Sequence, residues 1–265
     1  MYATIAPWCT TPLRSFPTAV PYVMKGVGQR WSASGVWTFE GLAALNPTLP
    51  VTLVQGNRER EATAFVKSTF GEYLASLQQP ASADEKPLYL KEFDLLKEFP
   101  QLARNLPYHT LFPDNTIKSH GAWIGPAGAK TGLHYDYLDN FAWLVAGKKR
   151  FYLAAPGSVE SVEKLSRKYD RWAQLANMDV HELALLAPAH GMQVYVIDLE
   201  AGDCLFVPKG WWHQVENLSP SILLGGFFGP RHTVLGKWFW SLLRQGAHQL
   251  GIIGSGNCTC CHARA

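Results

Sequence analysis

The chain has 265 residues, of which 47% are hydrophobic and only 17% charged, with 10 Trp, 10 Tyr and 13 Phe; that is enough apolar material for a sizeable core and excludes wholesale disorder. A formal net charge of +3 is too small an excess to argue for a nucleic-acid partner. No apolar run reaches the roughly 18–20 residues of a membrane span, and no basic start followed by an apolar stretch reads as a secretory leader, so an intracellular, cytoplasmic protein is expected, with the nucleus an open alternative if the source is a eukaryote.

In chain order, 21–26 reads as a strand ending at a glycine, 37–45 as a short helix and 51–55 as a second strand. Over 63–77, Phe65, Phe70, Tyr73, Leu74 and Leu77 fall near helical spacing and predict an amphipathic helix. The stretch 78–86 reads as a loop, 87–93 as an alternating strand, and 94–106 as a helix broken or kinked at Pro100. Together, 1–118 make a mixed α/β portion expected to pack on the β-rich remainder of the chain.

From 119 the pattern turns to β. Strands are predicted at 119–125, 131–137, 140–146, 149–154, 193–199, 203–207, 211–217 and 221–228, with Gly and Pro as punctuation between them. Short strands in this number suggest a double-sheet jelly roll over 119–230. The segment 158–190 interrupts it and reads as mainly helical. A helix at 233–250, within a C-terminal unit at 231–250, carries Trp238, Phe239, Trp240, Leu242 and Leu243. The remainder, 251–265, reads as a flexible tail. The expected fold class is mainly β: a double-stranded β-helix (jelly-roll/cupin) core with N-terminal helices and strands, a helical insert and a C-terminal helix.

The five cysteines are Cys9, Cys204, Cys258, Cys260 and Cys261. An odd number crowded toward one end is not the spaced framework of a secreted disulfide fold. The tail Cys258-Thr-Cys260-Cys261-His262 contains soft ligands, at a spacing too compact for the two separated pairs of a usual zinc site. Incidental thiols on a loose end are the expectation there.

The informative stretch is Thr131-Gly-Leu-His134-Tyr-Asp136, followed by Asn140 and by Lys148-Lys149-Arg150. Side chains alternate along a strand, so His134 and Asp136 share a face. A second histidine, His213, follows in Gly202-Asp-Cys-Leu-Phe-Val-Pro208-Lys-Gly-Trp211-Trp212-His213. Two histidines and one carboxylate on one face of a metal leave positions open, the signature of non-haem Fe(II) oxygenases. Lys149 shares inward parity with Phe151 and Leu153, whereas Lys148 falls in the turn after Gly147. Trp123, Trp143, Trp211 and Trp212 fall near these motifs; barrel packing explains them better than lining of a substrate cleft, and Trp211 and Trp212 point to opposite faces.

On these residues the chain resembles the Jumonji-C (cupin-8-like) Fe(II)/2-oxoglutarate-dependent oxygenases, particularly their small protein-hydroxylase branch, over roughly 16 to 245. The specific motifs are the H-Y-D of His134 to Asp136 with Asn140 and Lys149, and the W-W-H ending at His213. Looser ones are the lead-in 21–26 followed by Trp31, Thr69-Phe-Gly-Glu-Tyr-Leu74, Tyr89-Leu-Lys-Glu-Phe93 and Phe99-Pro-Gln-Leu102. The resemblance implies that His134, Asp136 and His213 hold iron, and that Lys149 pairs with the distal carboxylate of 2-oxoglutarate. It also implies that Thr131, Tyr89 and Asn140 add polar contacts to the co-substrate or metal-bound ligands. A departure falls at Gly226, aligned with an asparagine of the family's S-V-N-F-W strand, which removes one side-chain hydrogen bond.

The implied reaction decarboxylates 2-oxoglutarate to succinate while dioxygen supplies one oxygen atom to a side chain of a protein or peptide substrate. Alternatives within this chemistry are an N-methyl-lysine or N-methyl-arginine demethylase and a nucleoside or small-molecule hydroxylase. Outside it stands a non-oxidative cupin-fold binding protein. Relatives also imply a homodimer through the C-terminal helix, for which packing on the chain's own barrel is an equal alternative.

Overall fold

Short alternating runs bounded by Gly and Pro pair here into two sheets that are antiparallel except where Ala3 and Thr4 join Tyr195 and Val196 in parallel, with the apolar parity of each strand deciding which layer its side chains join. The structure, a computed structural model, describes residues 2–4, 19–30, 35–79, 85–106 and 116–261. Trp31, most of the 78–86 loop (80–84), Cys9 and His262 lie outside them.

The N-terminal part runs β1 (Ala3–Thr4), β2 (Tyr22–Met24), α1 (Phe39–Leu45), β3 (Pro50–Gln55), β4 (Ala64–Thr69), α2 (Phe70–Ser76), β5 (Leu88–Phe93) and α3 (Leu95–Glu98). The helix expected over 63–77 is therefore half strand. Ala64 to Thr69 pair with β3, and the helix begins only where Thr69 and Glu72 form a reciprocal capping box. The break expected near Pro100 is present, with α3 ending before a 3₁₀ turn at Pro100–Asn105.

β6 (Thr116–Gly125), β7 (Lys130–Asp136), β8 (Asp139–Ala146) and β9 (Lys148–Ala154) come next. After them are β10 (Ala173–Leu175), α4 (Val180–Leu186), β11 (Val194–Glu200), β12 (Cys204–Val207), β13 (Trp212–Asn217), β14 (Ser221–Gly229) and α5 (Arg231–Gln249). One sheet has the order β1-β11-β9-β13-β7-β10, the other β2-β12-β8-β14-β6-β5-β3-β4. This is the jelly roll expected from the sequence.

Each sheet has an inner and an outer face. Between the sheets lie Phe151, Leu153, Leu199 and Val215 from one side and Ala142, Leu144, Leu205 and Leu223 from the other. Residues of opposite parity on β8, namely Phe141, Trp143 and Val145, pack outward with Leu42, Phe70 and Leu74 of α1 and α2. Leu133, Tyr152 and Trp212 pack outward on the other side with Val180 and Leu183 of α4. Burying a Val, Leu or Phe in such layers stabilises by roughly 1.5–3 kcal/mol each.

The insert between β9 and β11 is less helical than expected. It carries one α-helix, two 3₁₀ turns (Glu160–Val162 and Ala187–His190) and the strand β10, which pairs with β7 through Ala173↔Asp136 and Leu175↔His134. The exchange of a helix for a strand is tertiary in origin, since β10 fills the edge beside β7. Helix α5 docks through Trp240 on Tyr137, with ring centroids 4.9 Å apart, and through Arg244, whose Nη1 donates to the Tyr137 hydroxyl at 3.0 Å. Its Leu235, Phe239 and Leu243 remain exposed. Among the described residues, no helix is long and apolar enough to cross a membrane.

Candidate metal and co-substrate site

Strands β7 and β13 are neighbours, and His213 lies opposite His134 in their register, just before a bulge between His213 and Val215. His134, Asp136 and His213 consequently bring their ligand atoms within 4.8 Å of one another. His134 Nε2 is 3.9 Å from Asp136 Oδ1, and His213 Nε2 is 3.5 Å from Asp136 Oδ2. The other ring nitrogens are already committed. His134 Nδ1 lies 2.7 Å from the Gly132 carbonyl oxygen and His213 Nδ1 lies 3.0 Å from that of Trp211. A carbonyl only accepts, so both Nδ1 atoms carry the proton and both Nε2 lone pairs face the carboxylate.

Burial sets the charge states. It lowers His134, with His213 adding to the effect, and it lowers His213 to about 4, so both rings are neutral ligands at neutral pH. It also pushes the Asp136 carboxyl up to about 6 against the pull of His134 and a hydrogen bond from Asn140. Among the described residues that carboxylate has only the two imidazoles as ion-pair neighbours, and a divalent ion at the Nε2 atoms would supply the missing cation. The donor set fits such an ion: two imidazole nitrogens and one carboxylate, with cavity rather than protein in front of them.

The cavity has a volume of about 440 Å³ and is lined by the triad, Lys149, Tyr89, Thr131 and Asn140. All seven residues singled out in the sequence therefore meet in one place. Lys149, on β9, is 0% exposed. Its Nζ donates to the Tyr89 hydroxyl at 2.8 Å and to Asn217 Oδ1 at 2.6 Å, and Thr131 hydrogen-bonds the same Tyr89 hydroxyl. Both partners of the ammonium are neutral. Burial, reinforced by Lys91, holds Lys149 well below the usual lysine range. Its neighbours in sequence turn away: Lys148 pairs with Glu200 and Arg150 with Asp198. Asn140 Nδ2 donates to Asp136 Oδ2 at 3.3 Å, while its buried Oδ1 has no hydrogen-bond partner among the described residues.

Of Trp123, Trp143, Trp211 and Trp212, Trp123 lines the cavity, as does Trp172 of the insert. Trp143 packs on Trp37, Trp212 is buried with its Nε1 donating to Glu160, and Trp211 donates to the Ala19 carbonyl. The glycine departure also moves. A Cβ on Gly226 would sit 2.1 Å from the Phe141 ring, in the outer core. A Cβ on Gly225 would instead meet Trp123 at 2.6 Å and Asn140 Oδ1 at 3.5 Å. The cavity-facing position is thus Gly225, and the Trp123 ring occupies the space beside it.

Sequence reasoning missed Glu59, Arg58 and Lys91. Glu59 Oε2 accepts from the Gly132 amide at 3.1 Å, and its Oε1 accepts from Lys91 Nζ at 2.5 Å and from Arg58. Burial pushes Glu59 up, but Lys91 and Arg58 outweigh it and bring it down to about 2. This buried ionic group supports the strand that carries His134. Only the charges in Asn57-Arg-Glu-Arg-Glu61 signalled it, and a charge run ordinarily reads as a solvated turn. Asn217 was missed too, although it pairs with Lys149 in the β13–β9 register.

The cupin-like domain family matches residues 14–240. This chain belongs to the cupin-like, Jumonji-C family. The cupin-like chain is 27% identical over 231 residues, 78% of its length and 54% of the relative's, to Jumonji C domain-containing protein 5 of Drosophila melanogaster. It is 34% identical over 135 residues to tRNA wybutosine-synthesizing protein 5 of Gallus gallus, covering 51% of this chain and 41% of that protein. It is 25% identical over 213 residues to lysine-specific demethylase JMJ30 of Arabidopsis thaliana, covering 76% and 48%. The chain thus spans about half the length of these curated relatives.

Proposed function

We propose that the protein is an Fe(II)- and 2-oxoglutarate-dependent oxygenase that hydroxylates an amino-acid side chain of a protein or peptide. The observation that carries this reading is the presence, in one cavity, of three convergent metal-ligand atoms and a fully buried ammonium whose partners are neutral. A buried charge without a counter-ion is costly. A divalent ion would offset the Asp136 charge at the triad, and a dicarboxylate reaching from that ion to Lys149 would give the ammonium its counter-ion.

In this reading His134, Asp136 and His213 hold iron, and Lys149 binds the distal carboxylate of 2-oxoglutarate. Tyr89 and Asn217 aim the ammonium, and Thr131 completes the hydroxyl shell. Iron, when bound with dioxygen, supplies the oxidising chemistry that turns the 2-oxo acid into succinate and carbon dioxide and a substrate C–H bond into C–OH. Asn140 Nδ2 holds Asp136 in orientation and leaves its Oδ1 to accept from a ligand. Trp123, Leu223 and Phe227 on the cavity wall exclude water from the reacting centre.

Substrate class rests on the rest of the lining. Polyanionic RNA asks for a basic face, but the cavity carries Glu92, Asp94 and Asp170 beside Arg58 and Arg171, a mixed-charge surface that suits a peptide. The likeness to a lysine-specific demethylase favours a second reading, removal of an N-methyl group by the same chemistry. The test is incubation of the full chain with Fe(II), 2-oxoglutarate and a peptide library. Succinate release dependent on Asp136 with +16 mass shifts is expected. Shifts of −14 would replace hydroxylation by demethylation, and no succinate release would remove the oxygenase reading altogether.

A further inference from the structure

We propose that the C-terminal tail builds a second metal centre, a tetrahedral zinc site formed by His248 of α5 with Cys258, Cys260 and Cys261. The ligand atoms of these four residues lie within 4.8 Å of one another. Cys260 Sγ is 3.4 Å from His248 Nε2, Cys261 Sγ is 3.8 Å from the same nitrogen, and the two sulfurs are 3.7 Å apart. A tetrahedral zinc with bonds of about 2.3 Å to sulfur and about 2.0–2.1 Å to nitrogen sets sulfur–sulfur edges near ~3.8 Å and sulfur–nitrogen edges near ~3.6 Å. The observed separations are edges of such a tetrahedron. They are far from the roughly 2.05 Å of a disulfide, and all three cysteines are free.

The imidazole is prepared for the role. His248 Nδ1 lies 2.9 Å from the Ile253 carbonyl oxygen, which can only accept, so Nε2 turns its lone pair to the sulfurs. The ring stacks on Tyr169 at 4.2 Å. Sequence spacing hid this site because the separated ligand is on the helix and not in the tail. Gly251, Gly254 and Gly256 take φ values of 74°, 60° and 71°, which reverses the chain and returns the cysteines to His248. Instead of the flexible tail expected, residues 257–259 pair with the insert. The Tyr169 amide donates to the Asn257 carbonyl at 2.9 Å, and the Thr259 amide donates to the Tyr169 carbonyl at 3.0 Å.

Thiolates select zinc over the ion expected at two imidazoles and a carboxylate. With four protein ligands the site is closed, hence structural. What it holds is a cavity wall. Thr259 and Cys260 line the main cavity, Thr259 Oγ1 donates to Asp170 Oδ2 at 2.6 Å, and Asp170 Oδ1 accepts from the Trp172 and Ala173 amides. Ala173 in turn faces Asp136 across the β10–β7 ladder.

The experiment is cobalt substitution of the full chain, isolated without oxygen, with zinc content measured in parallel. Sulfur-to-cobalt charge transfer reports only thiolate coordination, which the His134–Asp136–His213 group cannot give. The wild type and a His134→Ala variant are expected to show the band and to hold one zinc per chain. A Cys260→Ser/Cys261→Ser variant, folded by circular dichroism, is expected to lose both. Absence of the band in the wild type, its survival in the double variant, or a disulfide among these cysteines in the anaerobic protein would overturn the proposal.

Discussion

His134 and His213 face each other across one β-ladder, and each gives its Nδ1 proton to the carbonyl of the residue two positions before it. The backbone thereby fixes both tautomers, and Asp136 sits where the two lone pairs converge. Without a cation this arrangement is a cost, because a carboxylate is buried among neutral rings. Asp136→Ala is therefore expected to abolish 2-oxoglutarate turnover while leaving the metal-free melting temperature unchanged or raised. A large loss of metal-free stability in thermal melts would show that Asp136 is a structural residue.

Lys149 makes the next prediction. Its ammonium is proposed to form charge-assisted bonds worth about 1.5–3 kcal/mol to the co-substrate, so Lys149→Met should raise KM for 2-oxoglutarate roughly 10- to 100-fold by that scale. Uncoupled succinate production at varied 2-oxoglutarate measures it. An unchanged KM would mean that another group receives the carboxylate.

The same residue gives a pH dependence. Burial and Lys91 depress Lys149 in the free site, while a bound carboxylate favours the ammonium, so binding takes up a proton. Affinity is full below the free-site pKa and falls by up to about tenfold per pH unit above it. Calorimetry in buffers of different protonation enthalpy should find proton uptake growing as pH rises. Binding without proton exchange across the neutral to alkaline range would contradict the assignment.

Glu59 and Lys91 form a pair with both side chains almost wholly buried. Glu59→Ala strands the Lys91 charge and should cost about 3–5 kcal/mol in denaturant unfolding. Glu59→Leu/Lys91→Met should recover most of that loss. Equal destabilisation by the single and double variants would show that the pair is not the stabilising unit.

Gly226→Ala tests the direction of β14. Its new methyl would enter the Phe141 ring at 2.1 Å, which predicts about 1–3 kcal/mol of destabilisation from overpacking with KM for 2-oxoglutarate unaltered. A change in KM with full stability would put residue 226 on the cavity side.

Apart from 173–175, the strands between 116 and 229 were legible because their side chains keep period two and their ends are marked by Gly and Pro. Local pattern failed where a partner decided the outcome. Phe65, Phe70 and Tyr73 fit a helix, yet Ala64–Thr69 follows β3 as a strand. Segment 173–175 is a strand only because β7 offers an edge. His134, Asp136 and Lys149 were readable from parity, and His213 from its motif. Glu59 and Asn217 were not, since each acquires its role through contacts with residues distant in the chain.

An anaerobic titration of the full chain with Fe(II) and then 2-oxoglutarate tests the central claim most directly. A ferrous ion chelated by a 2-oxo acid has a visible charge-transfer band. The account predicts that this band appears at one iron per chain, vanishes in Asp136→Ala and needs much more 2-oxoglutarate in Lys149→Met. A wild-type protein that develops no band, or an Asp136→Ala variant that develops it undiminished, would contradict the account.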